Sequence, residues 1–236
     1  MDTPARSHDE QAAYHVRSDL VRRSRAEPPA ARGGVTRTLD ELSRRLEGHE
    51  PELSDDAVEI QASVALILCE RDHDLSLLFI QRASHPGDRW SGHIAFPGGR
   101  VDAADASPRH AAERETREEV GLEIDESMLC GRLDDLRGFS ESILVSGFVY
   151  RLDAPPSLDV NHEVEHAFWL SLSEVESDAR SVTREFEYQE RQLVLPAIRV
   201  LDQEFPVLWG ISYRFLELLM SLCDRPIHPM PWTPDV

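Results

Sequence analysis

The sequence predicts an α/β fold, and three observations carry that expectation. Apolar runs such as Val64-Ala65-Leu66-Ile67-Leu68 have the length and composition of buried strands. A charged segment, residues 109–122, is framed as a helix by Ser107-Pro108 before it and Gly121 at its end. Near the C-terminus, residues 207–223 place Leu208, Ile211, Phe215, Leu218 and Leu219 on one side of an amphipathic helix.

In chain order, residues 1–35 mix Arg, Asp, Ala and Pro and end in Gly33-Gly34, which reads as a flexible N-terminal extension. The folded domain is expected over residues 36–236. Residues 36–46 form a short helix, because Leu39, Leu42 and Leu46 share a face. Residues 57–69 and 75–81 are strands, joined by a solvated turn at Asp72-His73-Asp74. Arg82 ends the second strand and is either a phosphate ligand or a surface ion pair. In the loop of residues 84–91, Trp90 either stacks on a base or caps the core. Residues 93–96 form a short strand that runs into Pro97-Gly98-Gly99, where glycine lets the backbone turn and approach a ligand closely. Arg100 follows as a second phosphate candidate, with a solvated arginine as the alternative. His93 is either a general base or a structural hydrogen-bonding group.

Further strands are expected over residues 130–136, 143–152 and 164–170. Residues 172–175 open a helix with Ser173 as its N-cap. Residues 182–188 and 192–200 make a hairpin turning at 189–191. Pro226, Pro229, Pro231 and Pro234 give an extended tail.

Composition narrows the function. A chain of 236 residues with 41% hydrophobic content is long enough for one domain with a sizeable core. A net charge of -19 opposes nucleic-acid binding, which depends on cationic contacts to phosphate. All 25 basic residues are arginine, so lysine nucleophiles and Schiff bases are excluded. Cys69, Cys130 and Cys223 are too scattered for a disulfide framework or a metal site. No apolar run has membrane-spanning length and no signal peptide is recognisable, so a cytoplasmic protein without membrane partners is expected.

The stretch that carries chemistry begins at Gly98-Gly99 and continues through an acidic loop into the charged helix. Glu115, Glu118 and Glu119 stand at i, i+3 and i+4, so their carboxylates crowd one face. Such a cluster is either a plain solvated face or a site for a cation that relieves the repulsion. Hard ions with a preference for oxygen, Mg2+ or Mn2+, suit it.

Arg114-Glu115-Thr116-Arg117-Glu118-Glu119-Val120-Gly121-Leu122, preceded by Phe96-Pro97-Gly98-Gly99, resembles the signature box of the Nudix hydrolases. These enzymes hydrolyse a nucleoside diphosphate linked to another group. Gly99 is followed after five residues by Asp105, and eight residues then lead to Arg114, one more than the usual box. That longer loop, with the stretch from Leu78 to Ala83 and Gly92-His93-Ile94-Ala95, is similar to the coenzyme A pyrophosphatase branch. Two positions depart from that branch: Trp90 stands where histidine is common, and Asp88 where arginine is, with Arg89 one place off.

The resemblance implies an α/β/α sandwich with a mixed β-sheet between helices. It implies Glu115, Glu119 and the Gly99 carbonyl as metal ligands, and Glu118 as a further ligand or the group that accepts a proton from water. It also implies that Arg114 orients a glutamate, and that Mg2+ or Mn2+ is the cofactor. Glu141, Glu163 and Glu165 are candidates for an extra carboxylate, with solvated residues as the alternative. The expected partner is a small nucleotide, with coenzyme A or an acyl derivative preferred. ADP-ribose, dinucleoside polyphosphates, damaged nucleotides and a non-enzymatic binding domain are the alternatives. A homodimer is left open.

Overall fold

In the computed structural model, the run around Val64 becomes the strand on which the main sheet is built. The structure describes residues 35–55, 58–85, 91–138, 142–188, 191–202 and 206–227. Among these, the main sheet comprises β1 (Ile60–Arg71), β2 (Asp74–Arg82), β3 (Ile94–Ala95), β4 (Gly98–Arg100), β5 (Leu129–Arg132), β6 (Leu136–Arg137), β7 (Ile143–Leu152) and β8 (Val164–Ser171). Its central path is β3-β2-β1-β7-β5; β4 pairs with β1, β6 with β7 and β8 with β2. Only β1 and β7 are parallel among these pairs, which makes the sheet mixed.

Side chains of β1 alternate between two apolar layers. Leu66 and Leu68 enter one cluster, and Ala65, Ile67 and Cys69 the other, the period of two expected of a strand buried on both faces. Helix α1 (Leu39–Glu47) and helix α4 (Gly210–Leu222) cover the first layer through Leu39, Leu42, Leu46, Phe215, Leu216 and Leu219. Helix α2 (Pro108–Val120) covers the second through Ala112 and Val120. The predicted α/β/α sandwich is therefore the observed one. Helix α3 (Leu172–Val175) is one turn after β8.

A separate three-stranded antiparallel sheet contains β9 (Ser181–Tyr188), β10 (Arg191–Ile198) and β11 (Leu208–Trp209) in the order β11-β10-β9. The expected hairpin is present, with turn residues 189–190 outside the described ones. The closing helix starts later than the apolar pattern suggests. Leu208 and Trp209 pair with β10, and Gly210, at φ 64°, turns the chain into the helix.

Other boundaries moved for identifiable reasons. Helix α1 begins at Leu39 because Thr38 and Glu41 form a reciprocal capping box. The strand expected over 130–136 is broken into β5 and β6. Between them, Asp135 binds Arg132 and the Ser146 hydroxyl, and the Ser54 N–H donates to it. Ser171, not Ser173, caps α3, in a capping box with Glu174.

The Asp72-His73 turn has both residues in left-handed backbone, at φ 48° and 65°. Asp74, expected in a solvated loop, is buried instead: it accepts from the Ser173 hydroxyl and N–H and pairs with the fully buried Arg225. The N-terminal extension up to residue 34, Asp88, Arg89, Trp90, Glu141, Pro229, Pro231 and Pro234 lie outside the described residues. No helix among the described residues is long and apolar enough to cross a membrane.

Candidate active site

Helix α2 is framed by local chemistry. The Ser107 hydroxyl accepts from the His110 N–H, Pro108 occupies the first turn, and Gly121 ends the helix in left-handed backbone at φ 67°. Thr116 stands where the Nudix signature has an apolar residue. Its hydroxyl donates to the Ala112 carbonyl at 2.7 Å, so it is buried with its polar atom satisfied. With Ala112 and Val120 against the sheet, the helix presents Glu115 and Glu119 toward the glycine pair of β4.

Strand β4 places Gly98 opposite Val64 and Gly99 opposite Ser63. A Cβ on Gly98, whose φ is 152°, would strike the Ser63 carbonyl oxygen and the Val64 backbone. A Cβ on Gly99 would run into the Glu115 carboxylate. The two glycines therefore serve different ends: the first permits β4 to pair with β1, the second makes room for an acidic side chain. Gly98→Ala is expected to cost at least about 3 kcal/mol, because rigid backbone blocks it in a strained conformation. Gly99→Ala is expected to keep most of the stability, about 1 kcal/mol or less being lost, while displacing Glu115 and depressing any activity that depends on that carboxylate. Thermal denaturation paired with activity assays on both variants checks the contrast.

Glu119 is only 1% exposed. Its Oε2 accepts from the Gly98 N–H at 2.9 Å, and its Oε1 lies 3.7 Å from Arg82 Nη1. Burial pushes its carboxyl up to about 8; the Gly98 N–H pulls it down and the Glu115 charge pushes it further up. Glu115 is also raised, first by burial, with Arg114 opposing and Glu118 and Glu163 adding repulsion. Two poorly hydrated carboxylates thus sit together, within the field of Glu163.

Arg114 is the anchor of the site. Its Nε and Nη2 reach the two oxygens of Asp105, each at 3.0 Å, a bidentate fork. Nη1 donates to Glu115 at 2.9 Å and Glu118 at 3.1 Å, and Nη2 also donates to the Arg100 carbonyl. Arg114 holds Asp105 below the usual carboxylate range. Asp105, at the end of the lengthened loop, is a clamp for that arginine, and its second oxygen also accepts from the Asp102 N–H. The spacing of the sequence marked Asp105 but not this role.

Arg82 and Glu119 are brought together as neighbours. Arg100 is exposed and meets the site through its backbone carbonyl. The carbonyl of His93 accepts from the Arg82 N–H, and its ring lies edge-on to Trp209 with centroids 5.4 Å apart. Glu163 enters the electrostatics of Glu115 and Glu119, whereas Glu165 accepts from Gln81.

Among the described residues, no group of three or more His, Cys, Asp or Glu side chains is arranged to hold a metal ion. Arg114 draws Glu118 and one oxygen of Glu115 to itself. The donor chemistry nevertheless fits a hard divalent ion: one buried and one half-buried carboxylate, destabilised by lost hydration and mutual repulsion, beside a glycine backbone.

A family model described as the NUDIX domain matches residues 59–189, more than half of the chain. The chain is 35% identical over 143 residues to an uncharacterized Nudix hydrolase, NudL, of Enterobacter sp. (strain 638), covering 58% of this chain and 71% of that protein. It is 37% identical over 115 residues to the human mitochondrial coenzyme A diphosphatase NUDT8, covering 48% of each. An uncharacterized Schizosaccharomyces pombe protein is 38% identical over 107 residues, covering 42% of this chain and 32% of that one. The matched region thus spans about a third of the yeast relative and half of the human one.

Proposed function

The chain belongs to the Nudix family of pyrophosphohydrolases, and from that premise we propose that its substrate is coenzyme A or an acyl-coenzyme A. Water attacks one phosphorus of the diphosphate, and the bond from that phosphorus to the bridging oxygen breaks. The products are phosphopantetheine, or its acyl derivative, and adenosine 3′,5′-bisphosphate.

The observation that carries the reading is the Glu115–Glu119 pair packed against Gly98-Gly99, with Arg114 and Arg82 as flanking cations. In this reading Glu115, Glu119 and the Gly99 carbonyl would hold Mg2+ or Mn2+, and Glu118 would either join them or accept the proton from water. When bound, such an ion would neutralise phosphate charge and lower the pKa of water. Arg114 keeps Glu115 and Glu118 in place, and Arg82 faces the phosphates beside Glu119. Arg100, at the rim, is the second arginine assigned to the substrate's phosphates. The human relative's name and the lengthened loop between Gly99 and Arg114 support coenzyme A over other diphosphates.

A panel of coenzyme A, acetyl-coenzyme A, ADP-ribose and a dinucleoside polyphosphate, each with Mg2+ and with Mn2+, tests this. Coenzyme A or its thioester is expected to give the highest kcat/KM. Turnover of ADP-ribose with coenzyme A untouched would refute the substrate. No turnover of any member would refute the enzymatic reading itself.

A further inference from the structure

The three-stranded sheet has two unlike faces. Ile198 and Leu208 enter the main core from one of them. By register, Val182, Ala197 and Trp209 form a row on the opposite face, and Arg184 lies beside them opposite Leu195. The Arg184 guanidinium lies over the Trp209 ring, 4.3 Å from its centroid. Arg184 is partly buried, and among the described residues no carboxylate pairs with it. Burial lowers its pKa, and no anion among the described residues compensates.

This cation is connected to the site of the proposed reaction. Trp209 packs against the edge of His93, and the His93 carbonyl binds the Arg82 N–H. Arg82 in turn neighbours Glu119. Arg82 is therefore the arginine beside the paired carboxylates, and Arg184 is linked to it through Trp209 and His93. A partly desolvated guanidinium fixed on an indole, with no acidic partner among the described residues, is suited to an incoming anion.

We infer that Arg184, held on Trp209, recognises a phosphate monoester on the nucleoside portion of the substrate, away from the diphosphate that is cleaved. This rests on the proposed function, and it makes Arg184 a specificity residue and Trp209 a positioning residue. Coenzyme A carries such a group as its 3′-phosphate; 3′-dephospho-coenzyme A lacks it.

The test compares kcat/KM for these two substrates in the full chain and in Arg184→Gln and Arg184→Lys. The preference of the unmodified chain for coenzyme A is expected to fall at least about tenfold in Arg184→Gln, mainly through KM, and to be partly retained in Arg184→Lys. An unchanged ratio, or an equal loss on both substrates, overturns the inference; the latter would place Arg184 on the diphosphate. Calorimetric binding of adenosine 3′,5′-bisphosphate against AMP separates this from failure of the reaction. Should the chain cleave neither substrate, a preference for the bisphosphate that Arg184→Gln abolishes still supports the assignment. No preference, or the same preference in both proteins, refutes it.

Discussion

Glu119→Gln is expected to lower turnover of a diphosphate substrate on the order of a thousandfold, the scale reached when one preorganised electrostatic group is removed. The side chain keeps its size and an oxygen for the Gly98 N–H, so the packing of α2 on β4 survives. What disappears is a negative charge in a place that is 1% exposed. In the proposed reaction that charge is a metal ligand, and a neutral amide is a far poorer donor to a hard ion. The same change relieves the desolvation and the Glu115 repulsion that push the carboxyl up to about 8. The variant's melting temperature in chelator, above pH 8, is therefore expected to exceed that of the unmodified chain. Activity loss with a preserved or raised melting temperature identifies a functional acid; an unchanged rate rejects the proposed role.

Arg225→Ala is expected to destabilise the fold by about 3–5 kcal/mol, the range for breaking a buried ion pair from one side. The arginine side chain is fully buried and forks onto both oxygens of Asp74. It also donates to Glu176, the Ser173 hydroxyl and the Thr36 carbonyl. One guanidinium thus joins the start of β2, the turn after α3, and both ends of the described chain. Removing it strands the Asp74 and Glu176 carboxylates. Urea denaturation measures the loss.

A pH series checks the cause. Burial opposes the charge on Asp74, but Arg225 and Ser173 outweigh it and hold the carboxyl at about 2 against its ordinary 3.8. A depressed folded-state pKa stabilises fully above the unfolded value and is lost as pH falls through the folded one. The unmodified chain should therefore lose this contribution between about pH 4 and pH 2, and Arg225→Ala should show a smaller loss over that window.

The ease of reading these features from sequence follows how local they are. Ser107, Pro108 and Gly121 act within one helical turn of their own backbone, so the limits of α2 were legible. Glu115, Glu118 and Glu119 share a face through helix periodicity alone. The Asp74–Arg225 pair spans 151 positions, and nothing near Asp74 marks it as buried. Gly98-Gly99 read as a ligand-approach turn; its pairing with Ser63 and Val64, and hence the need for glycine, depends on a strand 34 to 36 residues away. Arg184 gave no signal at all, because its aromatic partner belongs to another strand.

The amino-acid order by itself determined the helix, its acidic face, the alternating apolar strands and the family to which they belong, since periodicity, capping and motif spacing are properties of neighbouring residues. Only tertiary structure decided which acid loses its water and which is tethered. Glu119 is sealed under Gly98 while Glu118, one residue earlier, reaches solvent and Arg114. Hydration and electrostatic potential depend on what the fold packs around a charge, and that cannot be inferred from spacing along the chain.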